Sequence, residues 1–166
     1  MEQLIDNQRT GFRRVVALLF DAIVIAVPFL FISTNTEINE ETSSIFSDAR
    51  VVLPILYSVF MNYRYGQTLG KMVAGIRVST MDKTNTLTLR QAILRDSIWI
   101  GFAALSLSGI SDSLPMSFAL CLSFAFLLWP LADIITMLAN PQRRAAHDFI
   151  AGTVVVKVTA DDRVIA

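Results

Sequence analysis

Acidic side chains inside apolar segments are the feature of this sequence best suited to chemistry. Asp21 interrupts the run VVALLFDAIVIAVPFLFI (15–32), and Asp133 lies near the end of LPMSFALCLSFAFLLWPLADIITML (114–138). A charge in lipid costs about 3 kcal/mol on insertion scales, so each acid needs a partner or a function. A carboxyl group whose pKa is raised by burial and lowered by a nearby cation can exchange protons.

Four apolar runs have, or approach, the length of about 20 residues that a membrane-crossing helix needs. They are 15–32, 51–65, 92–110 and 114–138. Of the 166 residues, 54% are hydrophobic and only 17% are charged, whereas about a quarter are charged in soluble domains. Lipid offers no partner to backbone polar groups, so uniformly apolar runs must be helical. The sequence predicts one all-α membrane domain, 1–166, built as a four-helix transmembrane bundle.

The polar residues of these runs fall at one level of the predicted bundle. At 1.5 Å per residue, Asp21 lies about 9 Å, and Asp133 about 8 Å, from the same membrane face. Other members of this polar layer are Asn62, Arg95 and Asp96. Arg13, Arg14 and Arg95 are the candidate charge partners of the acids. The layer is therefore the candidate ion or proton pathway.

The placement of basic residues predicts the orientation, because Lys and Arg stay on the cytoplasmic side of a membrane. With four spans, every one of the 14 basic residues except Arg50 falls on one side. The connection 33–50 carries several acids and reads as the outer loop. Both termini are therefore expected in the cytoplasm.

Two segments on that side, 66–91 and 141–158, resemble each other. Met72–Val78 aligns with Phe149–Val155, each with two apolar residues, Ala-Gly and an extended run. The pattern predicts a duplicated unit of two spans with a surface helix and strand, although short apolar motifs also recur by chance. Paired strands at Ile76–Thr80 and Thr153–Val158 would satisfy each other's backbone groups. A turn is expected at Asp82–Asn85.

Composition argues against several other functions. One Cys and one His exclude a metal centre built on these ligands, and no cofactor loop or catalytic set of side chains indicates an enzyme. Zero net charge gives no support to nucleic-acid binding. His147, Asp148 and Lys71 are candidates at the cytoplasmic face, and a Lys71–Asp148 ion pair between the two units is a further hypothesis.

Several segments make the chain resemble the RDD family of bacterial membrane proteins. They are GFRRVVALLFDAIVI (11–25), GQTLGKMVAGIRV (66–78), LTLRQAILRD (87–96) and RRAAHDFIAGTVVV (143–156). The family is named for one Arg and two Asp, which the resemblance places at Arg13 or Arg14, at Asp21, and at Asp148 or Asp133. It implies a multi-pass protein of the bacterial inner membrane, and some members look like sodium/proton antiporters.

Two functional hypotheses follow. In the first, Asp21 and Asp133 line a shared water-filled cavity and exchange a proton for a monovalent cation, with an oligomer or a membrane protein partner supplying further helices. In the second, the acids are structural, with Asp21 paired to Arg95 or another Arg, and the chain is a non-transporting assembly or accessory protein. In both, the lipid bilayer is the surrounding medium.

Overall fold

A computed structural model of the protein describes residues 10–35, 39–81 and 87–158. The predicted turn at Asp82–Asn85 lies outside the described residues. In chain order the elements are α1 (Thr10–Asn35), α2 (Glu40–Tyr65), α3 (Leu69–Ala74), β1 (Ile76–Thr80), α4 (Leu89–Arg95), α5 (Ser97–Leu107), α6 (Ile110–Ser113), α7 (Met116–Ala139), α8 (Ala146–Ala151) and β2 (Thr153–Lys157).

Three helices in the described part of the chain are long and apolar enough to cross a membrane: Thr10–Thr34, Thr42–Tyr65 and Met116–Ala139. Their large apolar side chains are mostly exposed, for example Leu18 at 67% and Leu127 at 66%. Apolar surface on this scale requires a non-aqueous neighbour, since soluble monomers rarely expose large contiguous apolar patches. The helices are those of a membrane protein.

The helix predicted at 51–65 begins much earlier, because residues 40–50, which were predicted to belong to a connecting loop, are helical. Helix α2 starts at Glu40, where Asn39 caps it by accepting a hydrogen bond from the Thr42 backbone N–H at 2.9 Å. The polar residues that suggested a loop are compatible with an exposed helical turn, and the Asn39 cap supplies a start signal. The first extra turns of α2 lengthen it to 26 residues.

The span predicted at 92–110 is interrupted at Asp96. Helix α4 ends there and α5, which begins at Ser97, has 11 residues, fewer than a membrane-crossing helix needs. Asp96 has φ −96° and ψ 10°, outside the helical range. A continuous fourth span is therefore absent from the described residues, and the four-helix bundle remains a prediction.

The repeated surface segments fold as the duplication predicts. Helices α3 and α8 have six residues each, and each ends at a glycine with positive φ: Gly75 at 64° and Gly152 at 63°. A left-handed residue at this position favours glycine. The chain then enters β1 or β2, and the two strands pair antiparallel with Ile76 opposite Lys157 and Thr80 opposite Thr153. Helices α3 and α8 with this ribbon are called the surface layer below.

The buried core lies under the surface layer and not between the long helices. Ile76 and Val78 of β1 have no exposed surface, and Val155 of β2 is 2% exposed. They cluster with Ala17 of α1 and Ala74 of α3. The layer is therefore packed onto the end of the helices as a folded unit, and it can hold polar side chains in fixed positions.

Gly70 is the tightest point of this packing. A Cβ atom placed on Gly70 would lie 2.1 Å from the backbone oxygen of Ala17 and 2.8 Å from Cγ of Asp21. Helix α3 can approach α1 this closely only because residue 70 has no side chain.

We therefore expect Gly70→Ala to destabilise the protein by roughly 1–3 kcal/mol, the usual cost of forcing an extra methyl group into a packed site. Thermal unfolding in detergent measures this. Gly101→Ala is the matched control, because a Cβ at Gly101 meets nothing within 4 Å. Equal stability of the two variants would contradict the tight α1–α3 contact.

Candidate functional site

Asp21 binds the N-terminus of α3. Its Oδ1 accepts hydrogen bonds from the Gly70 backbone N–H at 2.8 Å and from the Tyr57 hydroxyl at 2.9 Å, and its Oδ2 accepts from the Thr68 hydroxyl at 2.5 Å. The Tyr57 oxygen in turn accepts from the Leu69 N–H. The first N–H groups of a helix lack partners within the helix and carry partial positive charge, which favours a carboxylate there. Asp21 thus caps a helix from a neighbouring element.

Asp133 makes the corresponding contact with α8. Its Oδ1 accepts from the His147 backbone N–H at 3.2 Å, and its Oδ2 lies 2.7 Å from Nδ1 of the His147 ring. Nε2 of the same ring lies 2.9 Å from Nη2 of Arg95. Because a guanidinium only donates, Nε2 accepts that bond and Nδ1–H donates to Asp133. The His147 ring therefore bridges Asp133 and Arg95.

Asp148 is the centre of the charged cluster and has no exposed surface. Its Oδ2 lies 2.8 Å from Nη1 of Arg14, and its Oδ1 lies 2.7 Å from Nη1 of Arg95. The Ala145 backbone N–H also donates to Oδ2 at 3.1 Å. Burial alone would raise the pKa of Asp148, but Arg95 and Arg14 outweigh burial and hold the pKa well below its usual range. The carboxylate is charged at neutral pH.

Arg144 and Thr153 complete this cluster. Arg144 donates from Nε to the Thr153 carbonyl and from Nη2 to the Asp148 carbonyl, both at 3.0 Å, and its guanidinium lies over the Phe149 ring. Arg13 makes a similar contact at the end of α3, where its Nη1 donates to the Ala74 carbonyl at 2.6 Å. Arginines thus satisfy backbone carbonyls at the C-terminal side of both short helices.

Lys71 belongs to a different set of contacts. Its Nζ donates to Oδ1 of Asn62 at 2.8 Å, and Nδ2 of Asn62 donates to the Ser58 hydroxyl at 3.2 Å. Asn62 is 1% exposed. Burial, with the charge of Arg95 adding to it, lowers the pKa of the Lys71 amine to about 7, against the opposing charges of Asp96, Asp148 and Asp21.

A cavity of about 720 Å³ lies beside this set, between α2, α5 and α7. Asp96, at the break between α4 and α5, lines it together with the polar residues Arg50, Ser58, Ser106 and Ser123. Most of the other lining side chains are apolar, including Trp99. Oδ2 of Asp96 is buried and has no hydrogen-bond partner in the described part of the chain. A buried polar atom left without a partner is uncommon and indicates strain or function.

The structure corrects three predicted contacts. Asp21 does not pair with Arg95, because Arg95 is committed to Asp148 and His147 while Asp21 accepts neutral donors. Asp21 and Asp133 do not share the 720 Å³ cavity, since neither lines it and each caps a different short helix. Lys71 does not bridge to Asp148, because both carboxylate oxygens of Asp148 are already paired with Arg14 and Arg95.

Asp21 and Asp96 occupy equivalent positions in two similar short segments. Leu19–Ile25 (LFDAIVI) matches Leu94–Ile100 (LRDSIWI), with Leu, Asp, Ile and Ile at equivalent positions. Asp96 is therefore the counterpart of Asp21. The capping contact that Asp21 makes to α3 is made to α8 by Asp133 instead. Asp96 stands at the N-cap position of α5, but its side chain makes no capping hydrogen bond there.

Sequence reasoning missed the neutral partners of the site, chiefly Tyr57, Thr68, Gly70 and Thr153. Thr68 carried a signal, since a Thr before a short apolar helix is a typical N-cap. Tyr57 carried none, because its role depends on α2 lying beside both α1 and α3.

In comparisons with known proteins, a family model described as the RDD family matches residues 10–152. No curated protein and no solved structure matches the chain.

Asp148→Asn should destabilise the protein by roughly 3–5 kcal/mol, because it leaves two buried arginines without their counter-charge. Since folding lowers the pKa of Asp148, its contribution is present above the ordinary carboxyl pKa of about 4 and is lost as pH falls toward the folded value. Thermal unfolding across pH should show this acid loss in the wild type and a smaller one in the variant. Asp48→Asn, at an exposed acid, is the control; matching curves for Asp148→Asn and wild type would contradict the cluster's role.

Proposed function

Starting from its membership of the RDD family, we propose that this membrane protein is a small carrier that exchanges a monovalent cation for protons, or a subunit of one. Asp96 is the carboxylate that takes up the cation or the proton. Two observations carry the proposal: Asp96 lines the 720 Å³ cavity, and its Oδ2 is buried with no hydrogen-bond partner among the described residues. The proposal involves no enzymatic step and no cofactor.

The local backbone supports Asp96 in this role. Interrupted helices inside a membrane provide ion sites, because the helix ends leave backbone groups and partial charges at the break. Asp96 lies at such a break, as the last residue of one helix and the residue before the next. A cation or proton at Oδ2 would supply the partner that the described residues do not.

The dimensions of the cavity also support transport. Along α5 its lining extends from Asp96 to Ser106, about 15 Å at 1.5 Å per residue. That is about half of the roughly 30 Å hydrocarbon thickness of a bilayer. Since α5 is short and only three described helices have spanning length, we propose that the complete pathway needs a homo-oligomer or another membrane protein.

The orientation is part of the same proposal. The surface layer contains Lys71, Arg77 and Lys157, and four further basic side chains contact it: Arg13, Arg14, Arg95 and Arg144. This concentration of basic residues favours the cytoplasmic side of an inner membrane. In this orientation Asp96 lies in the cytoplasmic half of the bilayer.

A second candidate function rests on a separate observation. Asp21, Asp133 and Asp148 each accept at least two hydrogen bonds or ion pairs from fixed protein donors. Acids that are satisfied in this way act structurally, which supports a non-transporting assembly or accessory protein. In that case Asp96 would contribute to packing alone.

Proteoliposomes under an imposed pH gradient separate the two functions. Asp96→Asn should abolish movement of Na⁺, Li⁺ or K⁺, because the amide cannot exchange a proton, while its elution profile stays that of the wild type. Asp48→Asn, which changes an exposed acid on α2, should transport normally. Wild-type vesicles without flux, or full flux in Asp96→Asn, would overturn the carrier and favour the accessory function.

A further inference from the structure

Lys71 is a partly buried cation with no carboxylate within 4 Å among the described residues. Among the described residues, the basic side chains with a carboxylate oxygen within 4 Å are Arg14, Arg95 and His147. Lys71 has no such contact. Part of its side chain remains accessible, but its Nζ contacts Oδ1 of the buried Asn62. An unpaired charge in such a place is costly, so the amine gives up its proton more readily than an exposed lysine.

Two hydrogen bonds connect this amine to the cavity. Lys71 donates to Asn62, and Asn62 donates to Ser58, whose side chain lines the cavity wall on α2. Asn62 and Ser58 are one helical turn apart, so the connection follows α2 from the surface layer toward the cavity. Lys71 does not itself line the cavity; its charge lies behind the Ser58 wall, on the surface-layer side, and is connected to that wall through Asn62.

Charged groups from every neighbouring element act on Lys71. Arg95 of α4 disfavours its protonated form, whereas Asp96, Asp148 of α8 and Asp21 of α1 favour it. With burial added, these charges bring the amine's pKa to about 7. A cation entering near Asp96 would add another unfavourable charge, and by linkage a protonated Lys71 disfavours that cation to the same extent.

We propose that Lys71 is the pH-dependent gate of the α2–α5–α7 cavity. Protonated, it excludes cations from the end of the cavity near the surface layer; when it releases its proton to water on that side, the cavity becomes accessible to them. This inference rests on the carrier function proposed above and adds its regulation. The expected consequence is cation flux that rises as pH on the surface-layer side increases through neutrality.

Three substitutions test the gate in proteoliposomes with the pH varied on the surface-layer side. Lys71→Met, without a charge, should keep flux and lose most of its pH dependence. Lys71→Arg, permanently charged, should keep flux at the low level of the wild type at acidic pH, and so at least tenfold below wild type above neutrality. Asn62→Asp, which places a carboxylate beside Nζ, should move the flux midpoint to higher pH. Arg64→Met, at an exposed cation in the last turn of α2, should retain the wild-type profile.

A second measurement does not depend on transport. The side-chain nitrogen-15 resonance of Lys71 in detergent, assigned by its loss in Lys71→Arg, should titrate near neutrality. The midpoint pH of this titration should fall as Na⁺ is added. Once the Na⁺ concentration exceeds the dissociation constant for Na⁺, each further tenfold rise should lower the proton affinity of Lys71 tenfold, which is one pH unit. A midpoint at the ordinary lysine pKa of about 10.4, or one that ignores every cation tested, would overturn the gate.

The two proposals fail in distinguishable ways. Wild-type vesicles without flux contradict the carrier, while the titration still reports on Lys71. Wild-type flux that depends on Asp96, with an unchanged pH profile in Lys71→Met, leaves the carrier standing and contradicts the gate alone.

Discussion

The paired charge of Asp148 is the constraint on which the rest of the structure depends. A carboxylate with no exposed surface is tolerated only because Arg14 from α1 and Arg95 from α4 contact its two oxygens. Taking such a charge out of water costs several kcal/mol unless the geometry of its partners is good. The three side chains come from distant parts of the chain, so meeting this requirement brings α1, α4 and α8 together. The surface layer can then pack in one position only.

The same electrostatic logic operates at a smaller scale where the two short helices begin. A six-residue helix has almost no stability of its own, and its first N–H groups face the end of an apolar bundle. Asp21 and Asp133 project from long helices to accept those N–H groups at Gly70 and His147. Each acid gains donors that lipid could not provide, and each short helix gains an anion at its positive end. Intramembrane acids of this kind are therefore structural components before they are candidates for transport.

The parts of the fold that follow from local patterns could be predicted from the sequence. The apolar runs predicted the long helices, and the repeated Ala-Gly motif predicted both short helices, their glycine ends and the paired strands. The break at Asp96 was missed because hydropathy averages over a window and hides one non-helical residue. The partners of the charges were missed for another reason. Depth along a helix places Asp21 and Arg95 at one level, but which side chains meet depends on helix rotation, which no periodicity in these nearly all-apolar segments specifies.

Asp96 differs from its counterpart Asp21 in what the fold offers it. Asp21 meets a close-packed helix end, made accessible by Gly70, whereas the equivalent position on α8 is His147, whose N–H and ring are taken by Asp133. Asp96 therefore lines a cavity, and its Oδ2 has no donor in the part of the chain that the structure describes. In a low-dielectric setting an uncompensated carboxylate binds a proton or a cation strongly, and the charge of Lys71 interacts with Asp96. The difference between the contacts of Asp21 and those of Asp96 is thus what makes Asp96, and not Asp21, the candidate for ion exchange.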